Sequence, residues 1–145
     1  MKPLSVNPPS GALFHEDVSL LVWHPEGVIS EASVNQVIAY LGELEVRRNL
    51  PFNRFTDTRQ AEAIGLNFHY IFHISLFRRL AYHGPPILSA VLTSDETLKR
   101  YFKMHALLTQ GSAIKVRLFE TTEAAAEWLG VQVALLETNR DPGTT

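Results

Sequence analysis

The chain of 145 residues is the length of one ordinary domain and is too short for two well-formed ones. Hydrophobic residues make up 46% of it and charged residues 19%, so apolar burial can offset chain entropy and a wholly disordered protein is excluded. Thirteen Lys and Arg against fifteen Asp and Glu argue against nucleic acid as a partner, and the absence of Cys excludes disulfides, thiol redox chemistry and Cys-ligated metals.

The two ends of the chain are rich in turn-forming residues. They predict a flexible N-terminal arm over residues 1–11 and a flexible tail over residues 139–145, with a single domain over residues 12–138. The first segment has no apolar core or cleavage site typical of a secretory signal, and no apolar stretch is long enough to cross a membrane. We therefore expect a soluble, cytoplasmic protein with no integral membrane contact.

The first half of the domain begins with β structure. Residues 13–19 predict one strand, and residues 20–29 predict a second that passes through a turn at residues 24–27. Ser30 is placed to cap a helix whose apolar residues recur at helical spacing until Arg47 and Arg48. Residues 52–56 then predict a short strand that ends at Asp57.

The second half alternates helices and strands. Residues 66–83 predict a helix with apolar side chains on more than one face, which calls for a second contact with another helix, a ligand cavity or a partner subunit. A strand at 87–92, a capping-box pattern at 93–96 that starts a helix, a strand at 114–119 and a short helix stopped by Gly130 follow. Residues 131–136 fit either a last strand or a continued helix.

The resulting order is ββαβαβαβα. Helices between successive strands are typical of parallel crossovers, whereas the first two strands are close enough to form an antiparallel hairpin. The sequence therefore predicts an α/β fold with a mixed sheet, an N-terminal antiparallel hairpin and parallel βαβ crossovers.

Four segments, in this order, resemble a known family. They are the hairpin that leads through GVIS (27–30) into a helix, the strand RFTDTR (54–59), the strand ILSAVL followed by TSD (87–95), and VRLFE running into AAAEWL (116–129). This pattern is similar to the SpoIIAA-like branch of the STAS superfamily, also described as STAS/SEC14-like domains. The resemblance covers roughly residues 13–130, and the last segment is its most distinctive part.

The resemblance implies a regulatory or binding module. Related STAS domains act as anti-anti-sigma factors, transporter modules or nucleotide and small-ligand sensors, and the SEC14-like comparison implies a lipid-like or other apolar ligand. Anti-anti-sigma proteins carry a phosphorylatable Ser near the start of the second helix. Residues 60–67 contain no Ser or Thr at the matching place, so the resemblance does not extend to that phosphoswitch.

Polar candidates for a ligand site follow the strand that ends at Asp57. Arg59 suits an anionic head group, and Asn67 with the start of the second helix offers N–H donors, because open α/β sheets bind ligands beyond the carboxyl ends of their strands. The structural alternative, which we weight more heavily, is that Asp57 caps the following turn and Arg59 pairs with a nearby carboxylate.

His69 and His73 lie four residues apart on the predicted second helix and therefore share a face. Two imidazoles are not a metal site, and Tyr70 stands where a zincin has its Glu. Only His105 is expected to come near them, so we expect no metal and no cofactor. Nucleophile-elbow, P-loop and dinucleotide motifs are absent from the sequence, and an enzyme is not favoured.

Aromatic residues on the second and third helices exceed what a small core needs. Our first hypothesis is a non-enzymatic binding module for an apolar or amphipathic small molecule, with Phe68, Phe72, Tyr101 and Phe102 lining the pocket and His73 or His105 orienting the ligand. The alternative is a homodimer formed through the apolar second helix that regulates an unidentified protein partner. A metal-dependent enzyme using the His pair is a third hypothesis.

Overall fold

The computed structural model describes residues 7–48 and 50–137. Within these residues the chain forms seven strands and five α-helices, which are β1 (Ala12–His15), β2 (Leu20–Trp23), β3 (Gly27–Ser30), α1 (Glu31–Arg47), β4 (Asn53–Asp57), β5 (Ala61–Gly65), α2 (Phe68–Ala81), β6 (Ile87–Leu92), α3 (Glu96–Leu108), β7 (Ile114–Phe119), α4 (Thr122–Leu129) and α5 (Val133–Glu137).

Five strands form one central sheet in the order β1-β2-β4-β6-β7. β1 pairs antiparallel with β2 at the edge, and the remaining neighbours are parallel. A second, two-stranded parallel sheet joins β3 and β5. These pairings confirm the predicted α/β class, the mixed sheet, the N-terminal hairpin and the parallel crossovers.

The central sheet buries both faces, and the alternation of side chains along each strand decides which residue faces which layer. Leu20 and Val22 of β2 and Phe55 of β4 pack with Ala125 of α4 and Leu136 of α5. The alternate residues of the same strands face α1, α2 and α3. Two helical layers therefore enclose the sheet, and a cavity lies on the side of α1, α2 and α3.

Each long helix starts at a residue that caps it. Ser30 and Ser33 form a capping box at the start of α1, which confirms Ser30 as the predicted N-cap. Asn67 and Asp95 accept the hydrogen bonds that begin α2 and α3. The predicted box at residues 93–96 is thus wrong, because Asp95 caps α3 while Thr93 accepts from the Asp95 amide.

Two further predictions are corrected by the structure, one strand was not predicted, and one open alternative is decided. The first strand ends at His15 rather than at residue 19, because a 3-10 turn over Glu16–Val18 follows and Ser19 is left-handed, with φ of 49°. The predicted strand 20–29 is two strands that belong to different sheets. β5 was not predicted, since Ala and Glu have low strand propensity. Residues 131–136 contribute the short helix α5 rather than a strand.

Part of the predicted N-terminal arm and the whole predicted tail, residues 1–6 and 139–145, lie outside the described residues. Residues 7–11 contact β2: the Trp23 indole donates to the Ser10 carbonyl and the His24 amide donates to the Gly11 carbonyl. Gly11 has φ of 82°, and a Cβ there would lie 2.3 Å from the His24 carbonyl oxygen, so only glycine fits. Among the described helices, none is long and apolar enough to span a membrane.

Candidate functional site

A cavity of about 140 Å³ lies between the central sheet and helices α1, α2 and α3. Its wall is largely apolar and receives Val37 and Ile38 from α1, Ile71 and Ile74 from α2, and Leu98 and Phe102 from α3. Sheet residues close the cavity from the other side. A small apolar chamber with a few polar groups in its wall is the usual form of a small-molecule site.

A groove of about 640 Å³ separates α1 from α2 on the outside of the same layer. Ala39, Gly42 and Val46 line its α1 side, and Phe77 and Ala81 line its α2 side. Ile38, Ile74 and Arg78 line both the groove and the inner cavity. The two spaces therefore adjoin at these three side chains.

Three charged side chains meet where the cavity adjoins the groove. Glu45 of α1 accepts from Arg54 of β4 at 2.6 Å and from Arg78 of α2 at 2.7 and 3.1 Å. The exposed fractions of these side chains are 13% for Glu45, 7% for Arg54 and 6% for Arg78. Burial lowers the pKa of Arg54 to about 10, although Glu45 acts in the opposite direction. Both arginines are among the residues that line the cavity.

His105 of α3 also lines the cavity wall. Its Nδ1 lies 2.8 Å from the Ser75 hydroxyl of α2. Burial, with a smaller effect from the charge of Arg78, lowers the pKa of His105 to about 4, so the imidazole is neutral at pH 7. Ser75 is fully buried and does not line the cavity, and so weakly basic an imidazole is a poor general base. The contact between Ser75 and His105 links α2 to α3.

Tyr101, Phe102 and His105, three of the predicted ligand-binding residues, line the cavity. The Tyr101 hydroxyl donates to the Leu66 carbonyl at 3.0 Å. Phe68, Phe72 and His73 do not line it: all three are exposed on α2, and the Phe68 ring packs edge-on against Tyr101. The structure thus separates the residues predicted to share one pocket into an inner set and an outer set.

Asp57 and Arg59 lie together at the carboxyl end of β4, away from the cavity lining. Asp57 accepts from the Arg59 amide at 3.0 Å and from its guanidinium at 2.8 and 3.0 Å, which is the capping and pairing arrangement of the structural alternative. Hydrogen bonding to Asp57 raises the pKa of Arg59. Asn67 is exposed and serves as the N-cap of α2.

Buried His24 also faces Asp57 at this edge of the sheet. Its Nδ1 lies 3.7 Å from the carboxylate, and its Nε2 lies 2.8 Å from the Leu136 carbonyl of α5. These contacts fasten the last described helix to the end of β2. We therefore assign buried His24 a structural role.

His69 and His73 pack edge to face on the exposed face of α2, with ring centroids 4.5 Å apart. His105, the expected third imidazole, lines the cavity and contacts Ser75 instead. Residues 7–48 and 50–137 hold no group of three or more His, Asp or Glu side chains placed to bind a metal ion.

Sequence analysis missed Arg54 and Arg78 of the cavity and Glu45 of the groove. A signal was present for Arg78, which continues the spacing of Ile71 and Ser75 along α2. Charged residues at inward positions are expected only where they are paired or functional.

Comparisons with known proteins add no relative: no family model, no curated protein and no solved structure matches this chain.

Proposed function

We propose that this protein is a non-enzymatic binding module for an apolar or amphipathic small molecule, with a regulatory role of the kind that the STAS/SEC14-like resemblance implies. The observation that carries the proposal is the apolar cavity beneath α1, α2 and α3 and its continuation into the groove. The cavity alone matches engineered cavities of about 150 Å³ that hold benzene. With the groove, the space falls in the usual range of ligand sites, about 300–1,000 Å³.

The polar groups of the wall support binding rather than catalysis. The Tyr101 hydroxyl is engaged with a backbone carbonyl, His105 is neutral and contacts buried Ser75, and the arginines bind Glu45. None of these contacts sets an accessible nucleophile beside a general base, which covalent hydrolysis needs.

The test is calorimetric titration of the protein with 1-octanol, a neutral amphipath. Ile74 lines both spaces, so Ile74→Trp fills the junction between them. Leu80→Trp is the matched control, because Leu80 is 70% exposed on the same helix. We expect saturable 1:1 binding to wild type and to the control, and binding at least about tenfold weaker to Ile74→Trp. Equal affinity of the two variants would contradict the proposal, as would the failure of both neutral and anionic amphipaths of this chain length to bind wild type.

A homodimer is the second candidate function, and the outer face of α2 favours it. Phe68, Phe72, Phe77 and Leu80 are 51%, 41%, 54% and 70% exposed. Large side chains left in water along one helix are typical of an interaction surface. Sedimentation equilibrium separates the candidates, since a binding module needs no dimer and the interaction domain requires one.

A further inference from the structure

The positive charges beside the cavity outnumber the negative charges. Arg54 and Arg78 carry two positive charges, and Glu45 supplies one negative charge to both. Arg54 and Arg78 line the cavity, and Glu45, which lines the adjoining groove, is the one carboxylate that pairs with them among the described residues. His105 is neutral and adds no charge of either sign. A net positive charge therefore lies against an apolar space, where it is costly unless an anion joins it.

Arg54 also has N–H donors that make no hydrogen bond to the described residues. A guanidinium carries five N–H donors, and the side chain of Arg54 makes one hydrogen bond to Glu45. Its buried Nε has no hydrogen-bond partner among the described residues. The Phe52 ring stacks under the guanidinium at 4.5 Å, and Tyr82 lies 5.9 Å away, so aromatic contacts orient the group. A fixed, buried and under-used guanidinium suits a planar anion with two acceptor oxygens.

The position of the charge relative to the apolar space selects the shape of the ligand. Arg78 lines both the inner cavity and the groove, beside Ile38 and Ile74. A molecule with its anionic end at Arg78 and Arg54 has aliphatic surface on both sides for its hydrocarbon part. A bare inorganic anion leaves that apolar surface unfilled, and a neutral hydrocarbon leaves the charge unpaired.

We propose that the ligand is an aliphatic monocarboxylate, whose carboxylate binds Arg54 and Arg78 beside Glu45 and whose chain occupies the cavity and groove. This inference rests on the proposed binding function and names the ligand class of the same site. The carboxylate brings the cluster to two guanidiniums and two carboxylates. The spare donors of Arg54 then have an acceptor.

The experiment compares sodium octanoate with 1-octanol on the wild-type protein by calorimetric titration. The two probes share the chain and differ in the head group. We expect octanoate to bind about tenfold more tightly or better, because hydrogen bonds to a charged group are stronger than those to a hydroxyl. Arg78→Met leaves Glu45 paired one to one with Arg54, so it should reduce octanoate affinity to that of octanol. Arg79→Met is the matched control, because exposed Arg79 donates to the Leu108 and Gln110 carbonyls of α3 and the turn after it.

The outcomes separate the inference from the proposed function. If neither probe binds, the binding function itself fails. Equal affinities for octanoate and octanol leave that function standing and overturn the carboxylate site. A preference for octanoate that survives in Arg78→Met also overturns it, because the anion then binds elsewhere. The wild-type comparison decides the head group even where Arg78→Met does not fold.

Discussion

His105 shows how one residue couples the cavity to stability. Its side chain is held neutral by burial and by the nearby charge of Arg78, while its Nδ1 contacts the Ser75 hydroxyl. The imidazole of His105 in the cavity wall is therefore unprotonated in the folded protein at pH 7. In the unfolded chain the same imidazole has an ordinary pKa near 6.5.

The consequence is a specific dependence of stability on pH. Between about pH 6.5 and pH 4 the unfolded chain binds a proton at His105 that the folded chain does not, so the free energy of unfolding falls as the pH is lowered through this window. The contribution is on the order of 3 kcal/mol, complete above pH 6.5. Urea unfolding at pH 7 and pH 4.5 measures it, and His105→Gln should show a smaller loss between the two pH values. An equal loss in both proteins would contradict the assignment.

Individual site residues were predictable only where their type matched their surroundings. Tyr101, Phe102 and His105 lie on the inward face of an amphipathic helix, so helical spacing was enough to find them. Arg54 and Glu45 were missed, because their burial depends on pairing between α1, α2 and β4, which no local pattern encodes. Arg78 lies on the buried arc of α2 but was missed, because an arginine is rarely buried. Phe68 and Phe72 were expected inside, yet burial on α2 follows the arc of Ile71, Ser75 and Arg78.

At the scale of elements, the cavity exists because α1 and α2 pack on the sheet without closing on each other. α2 contacts α3 through the Ser75–His105 pair and through Arg79, whereas the groove separates it from most of α1. Tyr70 and the Glu45–Arg78 pair bridge α1 and α2 near the two ends of that groove. These two polar contacts join α1 and α2, and the groove between them keeps the apolar side chains of the two helices from full contact.

On the opposite side of the sheet, α4 ends at Gly130, which is left-handed with φ of 72°. Its two chain neighbours aside, no atom of residues 7–48 and 50–137 lies within 4 Å of the Cβ that an alanine would add, so Gly130→Ala tests backbone strain. We expect a loss of about 1 kcal/mol in the free energy of unfolding, and a smaller loss for Gly130→Asn, because Asn tolerates this conformation better. Thermal or urea unfolding measures both. A neutral Gly130→Ala would show that α4 ends without help from the glycine.

Elements with strong local signals were predictable and weakly encoded ones were not. Ser30 and the apolar spacing of α1 predicted its bounds, and the buried-type strand β6 was found at its observed limits. β5 lacked such a signal, since Ala61–Gly65 becomes a strand only by pairing with β3. The division of residues 20–29 between two sheets likewise depends on distant partners.

At the scale of the whole molecule, the two sides of the sheet have different roles. The side under α4 and α5 is a closed apolar core built on Phe55 and Leu136. The side under α1, α2 and α3 holds the cavity, the groove and the buried charges. The proposed ligand site and the closed core thus lie in opposite layers, so substitutions in the cavity wall can alter binding while the core under α4 and α5 is kept.

The central claim is that an apolar ligand occupies the inner cavity, and isotope-filtered NMR of the labelled protein with unlabelled 1-octanol tests it most directly. The account predicts nuclear Overhauser effects from the octanol chain to Ile38, Ile74 and Phe102, which line the cavity. Contacts confined to Phe72 and Leu80 on the outer face of α2 would contradict it and would assign the apolar surface to self-association instead.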